Sequence, residues 1–187
     1  YPMPRLLRFA LCAAALVVVA PAAAQDSTVV ILVRHAERAA LEGNNDPPLT
    51  EAGEARARAL AQALEGRQIH AVIATERQRT QLTAHPAAQA HGLTTEIVSL
   101  RSGRAHVDSV AAAVRRHAGH TVLVVGHSNT VPGIIRALGG PRMPDLCDAE
   151  YANLYVLVMR EGAQPRLERR SYGQPDAPGA SVCPLTN

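Results

Sequence analysis

The chain has no tryptophan, one phenylalanine (Phe9) and four tyrosines among 187 residues. Its core must therefore be built from Val, Leu, Ile and many Ala, which suits close packing of helices on a sheet. The same scarcity argues against stacking on nucleic-acid bases as a function. No run of basic residues marks a nucleic-acid surface either. The formal charge of +3 includes Arg5 and Arg8, which lie in an N-terminal leader-like segment; without them it falls to +1. The high isoelectric point is thus no sign of a polyanionic partner. There is no internal repeat, low-complexity segment or interdomain linker, and the length and apolar content fit one globular domain.

Arg5 and Arg8 precede the apolar run "FALCAAALVVVA", and "APAAAQ" follows it. This pattern reads as a secretory signal over residues 1–24, cleaved at about Ala24/Gln25, which leaves one domain over 25–187 and no membrane segment after cleavage. A membrane anchor or a buried first strand is the alternative, but the run is short for a span and ends in Pro21 and alanines. Cys12 lies early in the run, which argues against lipid attachment. The mature chain then holds two cysteines, Cys147 and Cys183, both in loop-like sequence. In an exported protein they are expected to pair. On the chain-entropy model a bond closing that loop stabilises the fold by about 4 kcal/mol.

Four short β-branched runs, "TVVILV" (28–33), "AVIA" (71–74), "TEIVSL" (95–100) and "TVLVV" (121–125), alternate with segments of helical period. That alternation predicts an α/β fold with a mostly parallel central sheet covered by helices. One helix starts at "LTEAGEARARALAQALEG", with Thr50 as N-cap, Leu60 and Leu64 one turn apart and Gly66 as the stop. Another follows "TVLVV", with Pro132 in its first turn, Val131, Ile134, Ile135 and Leu138 on one face, and Gly139-Gly140 at its end. Helices also fit 77–91 and 106–118. "NLYVLVMR" and "PRLERRSYG" read as a hairpin at a sheet edge.

In such sheets ligands bind at the carboxyl ends of the strands. Two strands run into histidine there, His35 in "LVRHAER" and His127 in "VVGHSNT". Either alone would be an ordinary surface histidine; the coincidence is informative. A helix beginning near Asn129, directly after His127, would offer free N–H groups to an anion, and Ser128 and Asn129 stand at that turn. Arg77 and Arg79 stand at the start of the helix after the second strand, a poor place for a cation unless an anion sits nearby; the residues alone leave open which one turns inward. Convergence of Arg34, Arg38, Arg79, His35 and His127 costs about 4 kcal/mol per charge pair at ~4 Å and an effective dielectric of ~20. A multiply charged anion makes sense of such a cluster. Phosphate is the natural one, because guanidinium forks match its oxygens and neighbouring cations keep an imidazole neutral.

The motifs "RHAE", "PLTEAG", "TERQRTQLTA" and "GHSNT", in this order from Val29 to Tyr172, resemble the histidine phosphatase superfamily (phosphoglycerate mutase-like), in particular its small exported bacterial members. The resemblance implies a three-layer sandwich with helices on both sheet faces. It implies that His35 takes the phosphoryl group while Arg34, Arg79 and His127 bind its oxygens, and that water then hydrolyses the phosphohistidine. Arg38 stands where some branches keep a further phosphate-contacting arginine, and Ser128 and Asn129 are further substrate-binding candidates. The family pattern has Ser where this chain has Thr75, and Gln where it has Leu82. The proton donor is the larger departure: no glutamate follows the third motif, and Ser128 replaces the aspartate of the phytase-like branch. Glu37 and Asp108 remain as candidates, with pairing to Arg38 the competing role for Glu37.

The resulting expectation is an exported phosphatase acting on a small phosphorylated substrate, with no cofactor, no metal and no nucleic-acid partner. A non-catalytic phosphate-binding protein of the same fold is the alternative, with a mutase ranked lower because the expected acid is missing. A metalloenzyme ranks lowest, since "HAGH" (117–120) straddles a glycine at a helix end and no other pair has ligand spacing with a carboxylate.

Overall fold

The computed structural model describes residues 27–40, 43, 45–100 and 103–183; the expected signal over 1–24 lies outside the described residues. Strands β1 (Thr28–Arg34), β2 (Ala71–Ala74), β3 (Thr95–Ile97) and β4 (Thr121–Gly126) form a parallel sheet in the order β3-β2-β4-β1. The expected hairpin, β5 (Asn153–Met159) and β6 (Arg166–Ser171), adds antiparallel to β1 and closes that edge.

Alternate side chains of each strand point to opposite faces, and each face receives two helices. Ile31, Val33, Val72, Leu123 and Val125 pack under α1 (Glu51–Ala63) and α2 (Gln78–Ala90) through Leu60, Leu64, Ala84, Ala87 and Ala88. Val30, Leu32, Ile73, Val122 and Val124 pack under α3 (Arg104–Arg116) and α4 (Thr130–Ala137) through Val110, Val114, Val131, Ile134 and Ile135. The fold is the three-layer sandwich that the family resemblance implies. Small alanines bring α2 close to the sheet, so an aromatic-poor chain still fills its core.

The boundaries follow the expected chemistry with two shifts. Thr50 Oγ1 accepts the N–H of Gly53 at 3.1 Å to cap α1, and Gly66 ends the turn beyond it at φ +72°. Gly53 also has a long-range reason: a Cβ there would lie 2.1 Å from the Glu37 carbonyl oxygen. The start of α1 therefore rests directly on the backbone leaving β1. β3 stops at Ile97 rather than Leu100, because the Leu100 N–H turns away to the Glu76 carboxylate (2.7 Å) and the Ser99 carbonyl meets the His106 ring (3.1 Å). α3 starts two residues earlier than expected, after Gly103 at φ +57°.

Candidate active site

β1 and β4 are neighbours in a register that pairs Arg34 with Gly126. The next residue on each strand is a histidine, and the His35 N–H donates to the Gly126 carbonyl at 2.9 Å. The two rings meet edge to face with centroids 5.4 Å apart. Both residues are buried. Around them opens a cavity of about 1120 Å³ whose lining includes Arg34, Arg38, Arg77, Arg79, Ser128 and Asn129.

The proton of His35 can be placed. Its Nδ1 lies 2.8 Å from the Ala36 carbonyl oxygen, and a carbonyl only accepts, so Nδ1 carries the hydrogen and Nε2 the lone pair. The backbone behind it is held by the Ala36 N–H donating to Thr83 Oγ1 at 2.9 Å, while Thr83 donates to the Arg79 carbonyl at 2.6 Å. Burial lowers the pKa of His35 to about 4; the bond to Ala36 opposes this, and the charges of Arg34, Arg79 and Arg38 reinforce it. Burial likewise lowers His127 to about 3, helped by His35 and Arg79. Both imidazoles are neutral at neutral pH, as a nucleophile requires. His127 Nε2 meets the Thr75 hydroxyl at 3.2 Å, and Thr75 in turn meets Thr80 at 2.9 Å. Threonine, where the family this sequence resembles has serine, thus keeps a hydroxyl on this ring, and Leu82, where that family has glutamine, stands exposed on the helix surface.

The cations are held on the protein side. Arg34 Nη1 donates to the carbonyls of Cys147 (2.8 Å), Asp148 (3.0 Å) and Glu150 (3.1 Å), with the guanidinium 4.3 Å above the Tyr151 ring. Arg79 pairs with Asp46 at 3.5 Å. Asp46 also accepts the Gln78 N–H at 3.1 Å through both carboxylate oxygens. This loop carboxylate, not only an external anion, offsets the cations at the start of α2. The free N–H groups expected after His127 are partly used as well, since those of Thr130 and Val131 return to the His127 carbonyl (3.2 and 3.0 Å). Ser128 and Asn129 remain on the cavity wall.

Among the described residues, four buried side-chain polar atoms have no hydrogen-bond partner: Arg34 Nε, Arg79 Nε, His106 Nε2 and the Tyr172 hydroxyl. The first three belong to residues lining this one cavity. A buried donor without an acceptor costs about 1–3 kcal/mol. Arg34 and Arg79, each with an unmet donor, thus share a cavity wall with the neutral ring of His35, an arrangement chemically able to take an oxyanion.

Glu37 is not brought to this centre. Its carboxylate faces the other side of the β1 exit loop and takes Arg56 in a fork, Nε to Oε1 at 2.9 Å and Nη2 to Oε1 at 2.7 Å. Arg56, 5% exposed, continues to the carbonyls of Tyr172 (3.2 Å) and Gln174 (2.9 Å). The partner of Glu37 is therefore Arg56 rather than Arg38, and the expected proton-donor geometry is absent. The reason is steric: with α1 seated on the Glu37 backbone, the side chain lies under α1 beside Arg56. Asp108 does line the cavity, but it is exposed and pairs with Arg104 at 3.6 Å. Glu37→Gln is accordingly expected to lower stability by about 1–3 kcal/mol, by weakening the fork on a buried guanidinium. It should slow alkyl and aryl phosphates alike; thermal melts and the two rate ratios check this, and selective slowing of alkyl phosphates would return Glu37 to the proton-donor role.

Two site residues were not picked out from the sequence. His106 shares a helix face with Val110 and Val114 at intervals of four, so its burial was readable from helical period. Asp46 sits in "GNNDPP" with no local pattern to mark it.

Cys147 and Cys183 are bonded, with Cα atoms 4.9 Å apart. Among the described residues no helix is long and apolar enough to cross a membrane.

Residues 30–102 match the model of the histidine phosphatase superfamily (branch 1). Solved structures share the fold. A mycobacterial glucosyl-3-phosphoglycerate phosphatase aligns with a TM-score of 0.60 at 16% identity, covering 76% of this chain and 97% of its own. A protein assigned as the phosphohistidine phosphatase SixA of Nakamurella multipartitia aligns at 0.53 and 25% identity, covering 81% and 98%. A protein histidine phosphatase SixA complexed with tungstate aligns at 0.60 and 21%, covering 76% and 96%. No curated protein matches the sequence.

Proposed function

We propose that this chain, a member of the histidine phosphatase superfamily by its fold and its 30–102 segment, is an exported, metal-independent phosphatase working through a phosphohistidine on His35. The observation that carries the reading is that a buried imidazole whose proton is held at Nδ1 shares one cavity with Arg34 and Arg79, each of which has a buried Nε without a partner. His35 Nε2 attacks phosphorus as the bond to the leaving oxygen or nitrogen breaks. Arg34, Arg79 and His127 bind the non-bridging oxygens, with Arg38, Ser128 and Asn129 lining the approach. Water then takes the phosphoryl group from His35. Residues 25–187 act as one domain behind a leader over 1–24, and the Cys147–Cys183 bond suits an oxidising compartment.

The position of Glu37 favours one substrate class. With its carboxylate committed to Arg56 and Asp108 at the exposed rim, groups that depart without being protonated are the best suited, namely acyl phosphates, phosphohistidine and activated aryl phosphates. The test is to quench turnover of a radiolabelled aryl phosphate by the mature protein. An acid-labile, base-stable phosphoryl group on the peptide containing His35, with hydrolysis unchanged by exhaustive chelation, is the expected result. Tight phosphate binding with neither label nor turnover would leave the non-catalytic binding protein as the function.

A further inference from the structure

Arg34 is held by an unusual neighbour. Its three carbonyl acceptors all come from the loop 147–150, and that loop is the one tied to the C-terminal tail by the disulfide. The loop has no regular secondary structure. Its shape is set by few contacts. Glu150, buried, accepts the Cys147 N–H through Oε2 at 2.8 Å and the Asn153 amide through Oε1 at 3.2 Å, and the Glu150 N–H donates to the Cys147 carbonyl at 2.9 Å. Glu150 Oε1 also pairs with Arg169 Nη2 at 3.5 Å, the Leu146 N–H just before the loop donates to the Ser128 carbonyl at 3.0 Å, and a covalent tie runs from Cys147 to Cys183. Next to it, Asp176 in the same tail accepts the N–H groups of Tyr151 and Ala152 at 2.9 and 3.0 Å.

We infer that Glu150 and the Cys147–Cys183 bond are positioning elements that aim the Arg34 guanidinium at the phosphoryl group, so that anion binding at the site depends on the redox state of this cysteine pair. The inference rests on Arg34 being a phosphoryl-binding residue. Nη1, shared among three carbonyls, cannot turn to a ligand without breaking those bonds, so the loop decides where the rest of the guanidinium fork points. A loop of few internal contacts is the part of a fold that opens at least cost once a crosslink is removed. The sulfurs differ in access: Cys147 is buried and Cys183 is exposed. A thiolate of a small dithiol reductant attacks Cys183 Sγ, and the Cys147 sulfur leaves as a thiolate that takes up a proton. The second thiolate of the reductant then displaces Cys183 as a thiol and closes the reductant's own disulfide, two electrons having passed to the protein. The four helices and β1–β4 precede the segment that this crosslink closes, and β5 and β6 within it are held by their ladders to β1 and to each other.

The experiment is a cycle on the full mature chain, with tungstate as the probe and calorimetry as the readout, on wild type and Arg34→Ala, each oxidised and reduced by dithiothreitol. Reduction is expected to weaken tungstate binding to wild type by about tenfold or more. In Arg34→Ala, which has no guanidinium left to aim, reduction should change affinity by less than about twofold. Reoxidation should restore wild type. Equal affinity of the oxidised and reduced wild type overturns the inference, and so does an equal loss in both backgrounds, which would mean a general loosening of the fold. Far-UV circular dichroism monitors the fold. If the reduced protein unfolds, Glu150→Gln with the disulfide intact replaces reduction in the same cycle, with the same pair of expected and overturning results. Failure of oxidised wild type to bind tungstate would be a failure of the proposed function itself, and is thereby distinguished from failure of the positioning role.

Discussion

His35→Ala is expected to keep its fold and to hydrolyse p-nitrophenyl phosphate at least about 10⁴-fold more slowly than wild type, the order of loss seen when a covalent nucleophile is removed. The residue sits one step beyond β1, with its ring on the cavity wall, so truncation removes little of the packing between sheet and helices. What it removes is the Nε2 lone pair of a ring that shares the cavity with the arginines and is oriented by the Nδ1 bond to Ala36. The wild-type pH profile follows from the same bond and its surroundings. Because burial and three arginines hold His35 at about 4, its nucleophilic base form is present at neutral pH and persists into acid. Activity should therefore fall only as the pH drops toward 4, rather than near the ordinary histidine value of about 6.5. Circular dichroism and a rate measurement suffice. A variant that keeps more than about a tenth of wild-type activity would rule out the phosphohistidine mechanism.

The second large effect separates two arginines two residues apart. Arg79→Ala should lose about 10²–10³-fold in kcat/KM or more, as removal of a donor to the transferring group does. Arg77→Ala should lose less than about fivefold, since a partly exposed cation at the cavity rim contributes only through screened charge. Arg79 is largely buried, its Nε lacks a partner, and its charge lowers the pKa of both His35 and His127. Arg77 occupies the N-cap position of α2, makes no side-chain capping bond, and uses its backbone N–H on Thr75. Arg79 also leans on Asp46, so a melt is needed to separate lost chemistry from lost support. The opposite ranking of the two variants would mean that the inward-facing cation had been misassigned.

Much of this was legible from local chemistry. The period of two in "TVVILV" and of three to four in the segments around Leu60 and Ile134 mark which side chains face inward, because strand and helix geometry repeat within a few residues. Thr50, Gly66 and Pro132 act through backbone groups of their own turn, so their roles are visible without any fold. Two histidines after two strands of a parallel sheet could be expected at one rim. The cysteine pair was readable too, since two cysteines in a domain read as exported have few other fates.

Glu37 shows where such reading stops. Beside His35 and Arg38 in the chain it looks like part of the same chemistry, yet the carbonyl of Glu37 supports α1 and its carboxylate meets Arg56, 19 positions away. Asp46 at the start of α2 and the three carbonyls around Arg34 are equally non-local. The sequence by itself determined the elements, their inward faces, the two histidines at the strand ends and the cations available to meet them, because those follow from backbone periodicity and side-chain chemistry within a turn or a strand. Only the tertiary structure decided which cation each carboxylate neutralises and which donors stay unpaired, because charge pairing depends on distances between residues that the chain order leaves far apart and that the packing of helices on the sheet brings within 4 Å.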